Sequence, residues 1–217
     1  MPGTQNSVSI EQITTESPFF SSLLNLRADA YGREEAGHPE EIDGYSHHFI
    51  ARINDEVVGA LRVTCRKHGP LESERFYPQW LLGEFGDQIC ASSRMCVCAN
   101  QGAKSSIPQD LTRFAWSVVL PLGIRLDVSK ARLKAIPFYM RMGYYFVRDS
   151  VFEFERWNVR CALIAYPATP YYHTALSEVF RWINDHCDLT ISPHAHMFCS
   201  SYREFVNATT LMHTEEK

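Results

Sequence analysis

Two side chains are suited to moving protons. Tyr139 stands in Ile136-Pro137-Phe138-Tyr139-Met140-Arg141-Met142-Gly143-Tyr144. A phenol there can protonate a departing group, or it can pack in the core with its hydroxyl satisfied. His48 stands in Ser46-His47-His48-Phe49 and titrates near neutrality, which suits a general base. It can equally be a strand histidine packed against the first helix. Arg27 and Arg62 can grip a substrate carboxylate through paired N–H bonds, or pair structurally with Asp43 or nearby Glu residues. With Arg94, Cys96 and Cys98 they form the candidate substrate-binding set. Ser93-Arg94 also reads as a scaffold that ties its strand to the first helix. Cys96 and Cys98 alternate on one strand and face one side, but a nucleophilic thiol needs a base and a lowered pKa, and neither is evident. A covalent intermediate on a cysteine is therefore not expected. Cys187, His194, His196 and Cys199 have a spacing that matches no common zinc site, so no metal is expected.

The elements that must hold these residues can be read along the chain. Residues 1–16 are polar and read as loose. Ser17-Pro18 starts a helix that carries Phe20, Leu23, Leu24 and Tyr31, ended by Gly32 or Gly37. Residues 48–53 and 57–65 alternate and form a hairpin about Asn54-Asp55-Glu56. Residues 66–79 read as a loop, 79–86 as a short helix and 88–99 as a strand. Ser106-Pro108 starts a second long helix over 109–120. Residues 124–128 form a buried strand, and Ser129 caps a helix over 130–142 that Pro137 kinks and Gly143 ends. Strands follow at 144–147 and 159–166, and a helix at 173–186. The economical packing is a mixed α/β (α+β) sheet with helices on both faces. Residues 17–166 are expected as the core and 167–217 as a helical extension packed on it, within a single domain.

The order of these motifs resembles the acyl-CoA N-acyltransferase (GNAT) fold. The strand 88–99, the helix, the strand Ile124–Val128 and Phe138-Tyr139-Met140-Arg141-Met142-Gly143-Tyr144 are similar to that fold's second half. The first half is narrower. Arg27 and Tyr31, Asp43, Ser46-His47-His48-Phe49, Gly59-Ala60-Leu61-Arg62 and Ser93-Arg94 resemble the branch fed by acyl carrier protein. That branch holds acyl-homoserine-lactone synthases and long-chain N-acyl amino acid synthases of the FeeM type. The resemblance covers residues 18–166 and implies Tyr139 as the acid toward the thiolate. It also implies a strand whose backbone holds the pantetheine arm. Two departures matter. The lactone synthases' strand pattern has Glu where this chain has Ala91, and Ala cannot accept a proton. The glycine-rich phosphate loop of acetyl-CoA users is replaced by Gln101-Gly102-Ala103-Lys104-Ser105-Ser106. Side chains there obstruct close approach to a pyrophosphate, which carrier-bound phosphopantetheine lacks.

Charge distribution points the same way. Residues 94–148 hold nine basic residues and two acids, a local balance of +7 in a chain of net charge −4. Acyl carrier proteins are acidic, so such a region would steer docking, unless it is a solvated face of scattered charges. Lys104, Ser105, Ser106, Arg113, Lys130, Arg132 and Lys134 are the candidate pantetheine or carrier contacts. The expected donor is the acyl-phosphopantetheine of acyl carrier protein, with acyl-CoA possible and no tightly bound cofactor. The expected acceptor is an amino acid amine. Lactone synthesis, acetyl-CoA-dependent acetylation and a non-enzymatic acyl-ligand sensor remain as alternatives. The whole chain has 217 residues, 45% hydrophobic, long enough to bury a core without staples. Its seven Cys, none in a C-x-x-C pair, suit reduced thiols in a cytoplasm. Its acidic balance gives no reason to expect nucleic acid, and neither a signal peptide nor a membrane-inserting stretch is evident.

Overall fold

The computed structural model describes residues 7–101, 106–167, 182–183 and 185–188. Eight strands form a mainly antiparallel sheet. The chain divides into two compact units, one of residues 1–72 and 91–123, the other of 73–90 and 124–217.

The first unit begins with β1 (Val8–Ile13), in a region whose polar composition reads as loose. It pairs antiparallel with β2 (His47–Ile53), which pairs antiparallel with β3 (Glu56–Cys65). Asn54 takes the left-handed turn position at φ 55°, which Asn tolerates better than most residues. Helix α1 (Phe20–Tyr31) ends at Gly32, whose φ of 60° lets its N–H turn back to Ala28 and Asp29 carbonyls. Strand β4 begins in the other unit and continues here (Ile89–Val97), and α3 (Ile107–Val119) follows with Pro108 in its first turn.

Period-2 alternation assigns each helix of this unit a face of the hairpin. Ile50, Ala60 and Cys96 join the α1 residues Phe20, Leu23 and Leu24 in one cluster. The alternate positions Phe49 and Gly59 face α3, through the Phe114 ring and Ile107. Helices thus cover both faces, as expected, and His48 and Arg62 fall on the α1 side.

The second unit holds α2 (Gln79–Phe85) and the first residues of β4, where Ile89 and Cys90 pair parallel with β5 (Leu126–Arg132). Strand β8 (Val159–Pro167) pairs antiparallel with β5, and β6 (Tyr145–Phe146) and β7 (Phe152–Phe154) both pair with β8. The helix expected over 130–142 begins late: its first three residues belong to β5, a 3-10 turn (Leu133–Ala135) follows, and only the second half is α-helix. Lys130, Ala131 and Arg132 pair with Leu163, Ala162 and Cys161, so sheet pairing overrides the local helix signal. Ser129 caps nothing; it lies in β5 and donates to Asp127. Helix α4 is short (Ile136–Arg141), and Pro137 sits in its first turn, where no backbone donor is lost and no kink results. Its Ile136 and Met140 pack on Ala131, Ala162 and Ile164. Of the helix expected at 173–186, residues 182–183 and 185–186 are described, and they are helical. No helix among the described residues is long and apolar enough to cross a membrane.

Gly59 lets β3 come close to α3. A Cβ there would lie 2.6 Å from Ile107 Cγ2 and 3.2 Å from Leu111 Cδ1. Gly59→Ala should therefore cost about 1–3 kcal/mol by overpacking. Gly83→Ala, in α2 with nothing within 4 Å of the added carbon, should be neutral or gain up to about 1 kcal/mol. Urea denaturation of the two variants checks this contrast.

Candidate active site

The centre of the first unit is a buried set of charges on the α1 side of the hairpin. Helix α1 presents Arg27, completely buried, seven residues into the helix. The chain returns past Gly37, where a Cβ would come within 2.9 Å of Ala28, and so keeps the loop close to α1. Glu40 and the 3-10 turn Glu41–Tyr45 follow, and the Glu40 N–H donates to Asp43 Oδ2 at 2.9 Å. Asp43 Oδ1 accepts from both Arg27 Nη1 at 3.1 Å and Arg62 Nη1 at 2.9 Å. Arg62 also donates to Ser93 Oγ at 2.9 Å, Glu40 Oε2 at 2.9 Å and Glu72 Oε2 at 3.2 Å. Arg94 grips Glu40 through contacts of 2.7 and 2.9 Å and reaches Glu72 at 3.2 Å.

Three arginines thus face three carboxylates. Burial works to raise the Asp43 pKa, but the Arg27 and Arg62 charges overcome it and hold the carboxyl below its ordinary value. Burial pushes the Arg27 pKa down, with Asp43 opposing. For Arg94 burial also pushes down, and Glu72 and Glu40 outweigh it, so the pKa rises. Structural pairing of Arg27 and Arg62 with Asp43 and of Arg62 with glutamates is what the geometry holds. Arg94 ties β4 to Glu40 and Glu72 rather than to α1.

His48 completes the set. It is fully buried, with its ring edge-on to Phe20 at 5.3 Å. Nε2 lies 2.9 Å from the Asp43 carbonyl and Nδ1 lies 3.2 Å from Arg27 Nη2. An arginine only donates, so Nδ1 is the acceptor and Nε2–H the donor. Burial, aided by the Arg27 and Arg62 charges, lowers its pKa to about 4. The ring is neutral at pH 7, and both its nitrogens are engaged.

Strand β4 carries the other candidates. Arg94 has φ 55°, uncommon for a side chain with a Cβ, and its guanidinium is locked by Glu40 and Glu72. Cys96 packs into the α1 cluster, and burial pushes its pKa up to about 12, so it is a protonated thiol rather than a nucleophile. Cys98 is half-buried beside Asn100, and its N–H donates to the Val58 carbonyl at 2.9 Å.

Tyr139 belongs to the second unit. It is half-buried on α4, edge-on to Phe138 at 5.3 Å and to Tyr144 at 5.6 Å. Tyr144 donates to Asp127 Oδ2 and Ser129 to Asp127 Oδ1, each at 2.6 Å, so a fully buried carboxylate lies under this helix end. Asp127, Tyr144, Glu40 and Glu72 were absent from the sequence-derived site. A signal existed only for Asp127, an acid inside the apolar run Ile124–Val128.

The carrier-contact set is divided between the two units. Lys104 and Ser105 lie outside the described residues, and Ser106 is exposed before α3. Arg113 is exposed and pairs with Asp110 at 2.9 Å. In the second unit Lys130 lies over the Phe154 ring at 4.0 Å and Arg132 over the Trp157 ring at 5.4 Å. Arg132 and Lys134 join Arg160 and Glu153 around a groove of about 720 Å³.

The structure of FeeM, an N-acyl amino acid synthase from uncultured soil microbes, matches with a TM-score of 0.63 at 12% identity, covering 82% of this chain and 99% of that one. The CoA-dependent acyl-homoserine lactone synthase BjaI matches with a TM-score of 0.60 at 15% identity, covering 76% and 85%. A Desulfovibrio desulfuricans protein described as an acetyltransferase of the GNAT family matches with a TM-score of 0.54 at 12% identity, covering 75% and 100%. These likenesses define a GNAT-type acyltransferase fold. Residues 22–166 match the family N-acyl amino acid synthase FeeM, and the chain belongs to it. No curated protein matches the sequence.

The His48 environment has a measurable consequence. Its folded pKa of about 4 lies below the ordinary 6.5, so between these values the unfolded chain binds a proton that the folded chain refuses. Stability is then full above about pH 6.5 and falls toward pH 4, on the order of 1 kcal/mol per pH unit. His47, also lowered by burial, adds in the same direction. Urea midpoints should drop from pH 7 to pH 5 in the wild type and less steeply in His48→Gln. Equal slopes would remove His48 from the acid sensitivity.

Proposed function

We propose that this protein transfers a long or medium acyl chain from acyl carrier protein to the amine of an amino acid, making an N-acyl amino acid. The observation that carries this reading is the FeeM family match over residues 22–166. Ala91, where the lactone synthases' pattern has Glu, supports an open-chain product over a lactone. The groove lined by Arg132, Lys134 and Arg160 against Glu153 alone supports an acidic macromolecular donor. A cytoplasmic location goes with that donor.

The neutral amine attacks the thioester carbonyl. Backbone N–H groups of β4 beyond Arg94 stabilise the oxyanion, Cys98 excepted because its N–H is given to Val58. The C–N bond forms, the C–S bond breaks, the amine proton passes to water, and Tyr139 protonates the departing thiolate. His48 is better read as a positioning residue. It bridges Arg27 and the Asp43 carbonyl, and these fix the segment between α1 and β2. The arginine–carboxylate set serves the same end and keeps β4 in register with its surroundings.

Tyr139→Phe removes only a hydroxyl, so kcat should fall about 10–100-fold, or roughly 1.4–2.7 kcal/mol, with carrier affinity unchanged. Full activity in a folded Tyr139→Phe would leave the acid elsewhere. Lys134→Glu with Arg160→Glu should raise the KM for the carrier with little change in kcat. Since about 0.15 M salt screens beyond roughly 8 Å, wild-type turnover should also weaken as salt rises. Equal turnover with acyl-CoA, indifferent to salt and to these reversals, would give CoA as the donor. Mass spectrometry of lipid extracts from expressing cells should show acyl amino acids. Homoserine lactones at comparable yield would overturn the acceptor assignment.

A further inference from the structure

The face of the hairpin opposite the arginine set carries a second polar cluster that no step above uses. His47 pairs across the ladder with Val63, so the two share a face. Cys65 lies two residues beyond Val63 and returns to that face. The 3-10 turn Arg66–His68 then folds His68 back, bringing its ring centroid 5.4 Å from that of His47. One ligand atom from each of His47, Cys65 and His68 lies within 4.8 Å of the others. These residues are 18 and 3 apart in sequence, so no spacing motif announces them.

The chemistry of each group fits a metal. His47 Nε2 is buried and has no hydrogen-bond partner. A buried ring nitrogen without a partner is costly unless something binds it. Its other nitrogen, Nδ1, lies 3.0 Å from the Gln12 side-chain amide. The amide oxygen and nitrogen can exchange places without moving a heavy atom. With the oxygen toward Nδ1, that nitrogen carries the proton and Nε2 presents its lone pair. A ligating histidine is commonly held by such an outer partner. Cys65 is fully buried at the end of β3, and His68 is exposed, so the cluster is closed on one side and open to solvent on the other. Two imidazoles and one thiol favour a borderline-soft divalent cation over magnesium or calcium. Neighbouring ligands in a tetrahedral zinc site lie about 3.3–3.8 Å apart, given bonds of roughly 2.0–2.3 Å. A contraction of about 1 Å through side-chain rotation would reach that geometry from 4.8 Å. Lys67 is the neighbouring cation, and its ammonium is drawn to the Leu122 carbonyl at 2.9 Å.

We propose that His47, Cys65 and His68 form a Zn²⁺ site with one open coordination position for water. Binding exchanges the Cys65 thiol proton for the metal and clips the turn after β3 to the start of β2.

The test uses the full chain, freed of metal by a chelator and titrated with Co²⁺ as a spectroscopic stand-in. The expected result is a thiolate-to-cobalt charge-transfer band that saturates at one equivalent and is displaced by Zn²⁺. Cys65→Ser should abolish the band. His68→Ala, at an exposed position that should leave folding intact, should weaken Co²⁺ binding at least 10-fold. Zn²⁺ should raise the unfolding temperature of the wild type and not that of His68→Ala. The double variant His194→Ala/His196→Ala controls for the other Cys- and His-containing stretch and should keep the band. Absence of the band in the wild type overturns the site. So does a band that survives His68→Ala at full affinity, or one lost only in the His194/His196 variant.

Discussion

The Asp43 carboxylate, shared by two buried guanidinium groups, is the constraint around which the first unit is arranged. Arg27 and Arg62 are fully buried, and a buried arginine is tolerable only when its charge is matched, as Asp43 matches both here, although Arg27 Nε has no partner among the described residues. One oxygen of Asp43 serves both cations, and the other caps the Glu40 backbone. This sets the distance between α1 and β3, the path of the loop between them and the place of His48. Breaking such a set by removing one member leaves an uncompensated charge and costs about 3–5 kcal/mol in comparable cases. The set is therefore better evidence for a specified geometry than for added stability.

The hairpin separates two kinds of polar chemistry. On the α1 side all three nitrogens of Arg62 donate, and the neutral His48 has both ring nitrogens engaged and joins the network. On the other side His47 keeps an unspent ring nitrogen. Adjacent residues of one strand thus have opposite accounts, solely because the pleat turns successive side chains to opposite faces. A reading that treats His47-His48 as one motif misses this division.

Much of the fold was legible in the pattern of apolar residues. The α1 stripe, the alternation of β2 and β3, and Pro108 at the head of α3 each had a local physical cause. Strand β1 was not legible. Its stabilisation comes from backbone pairing with β2 and from contacts such as Glu11 with Arg52, which its polar composition conceals. Strand β5 runs further than its sequence suggests, because Ser129-Lys130-Ala131-Arg132 resembles a capped helix start. Its partner β8, some 30 residues away, decides otherwise. At the site, Arg27, Asp43, Arg62 and Arg94 stood out as an ordered set. Glu40 and Glu72 did not, because they lie in irregular segments where an acid normally means only solvent exposure. Their role follows from which cations reach them, and that is a property of the assembled chain.

The ion pairs of this unit also join segments far apart along the chain. Arg94 bonds Glu40 across 54 residues, and Arg62 bonds Ser93 across 31. Contacts of such separation require long loops to close before they return any free energy, and they slow folding relative to helical chains of similar size. Until β4 arrives, Glu40 and Glu72 lack Arg94, and Arg62 lacks Ser93. Their groups stay hydrated until then. Water leaves this cluster only when segments from residue 27 to residue 94 have met, so the drying of the charges is tied to the completion of the topology.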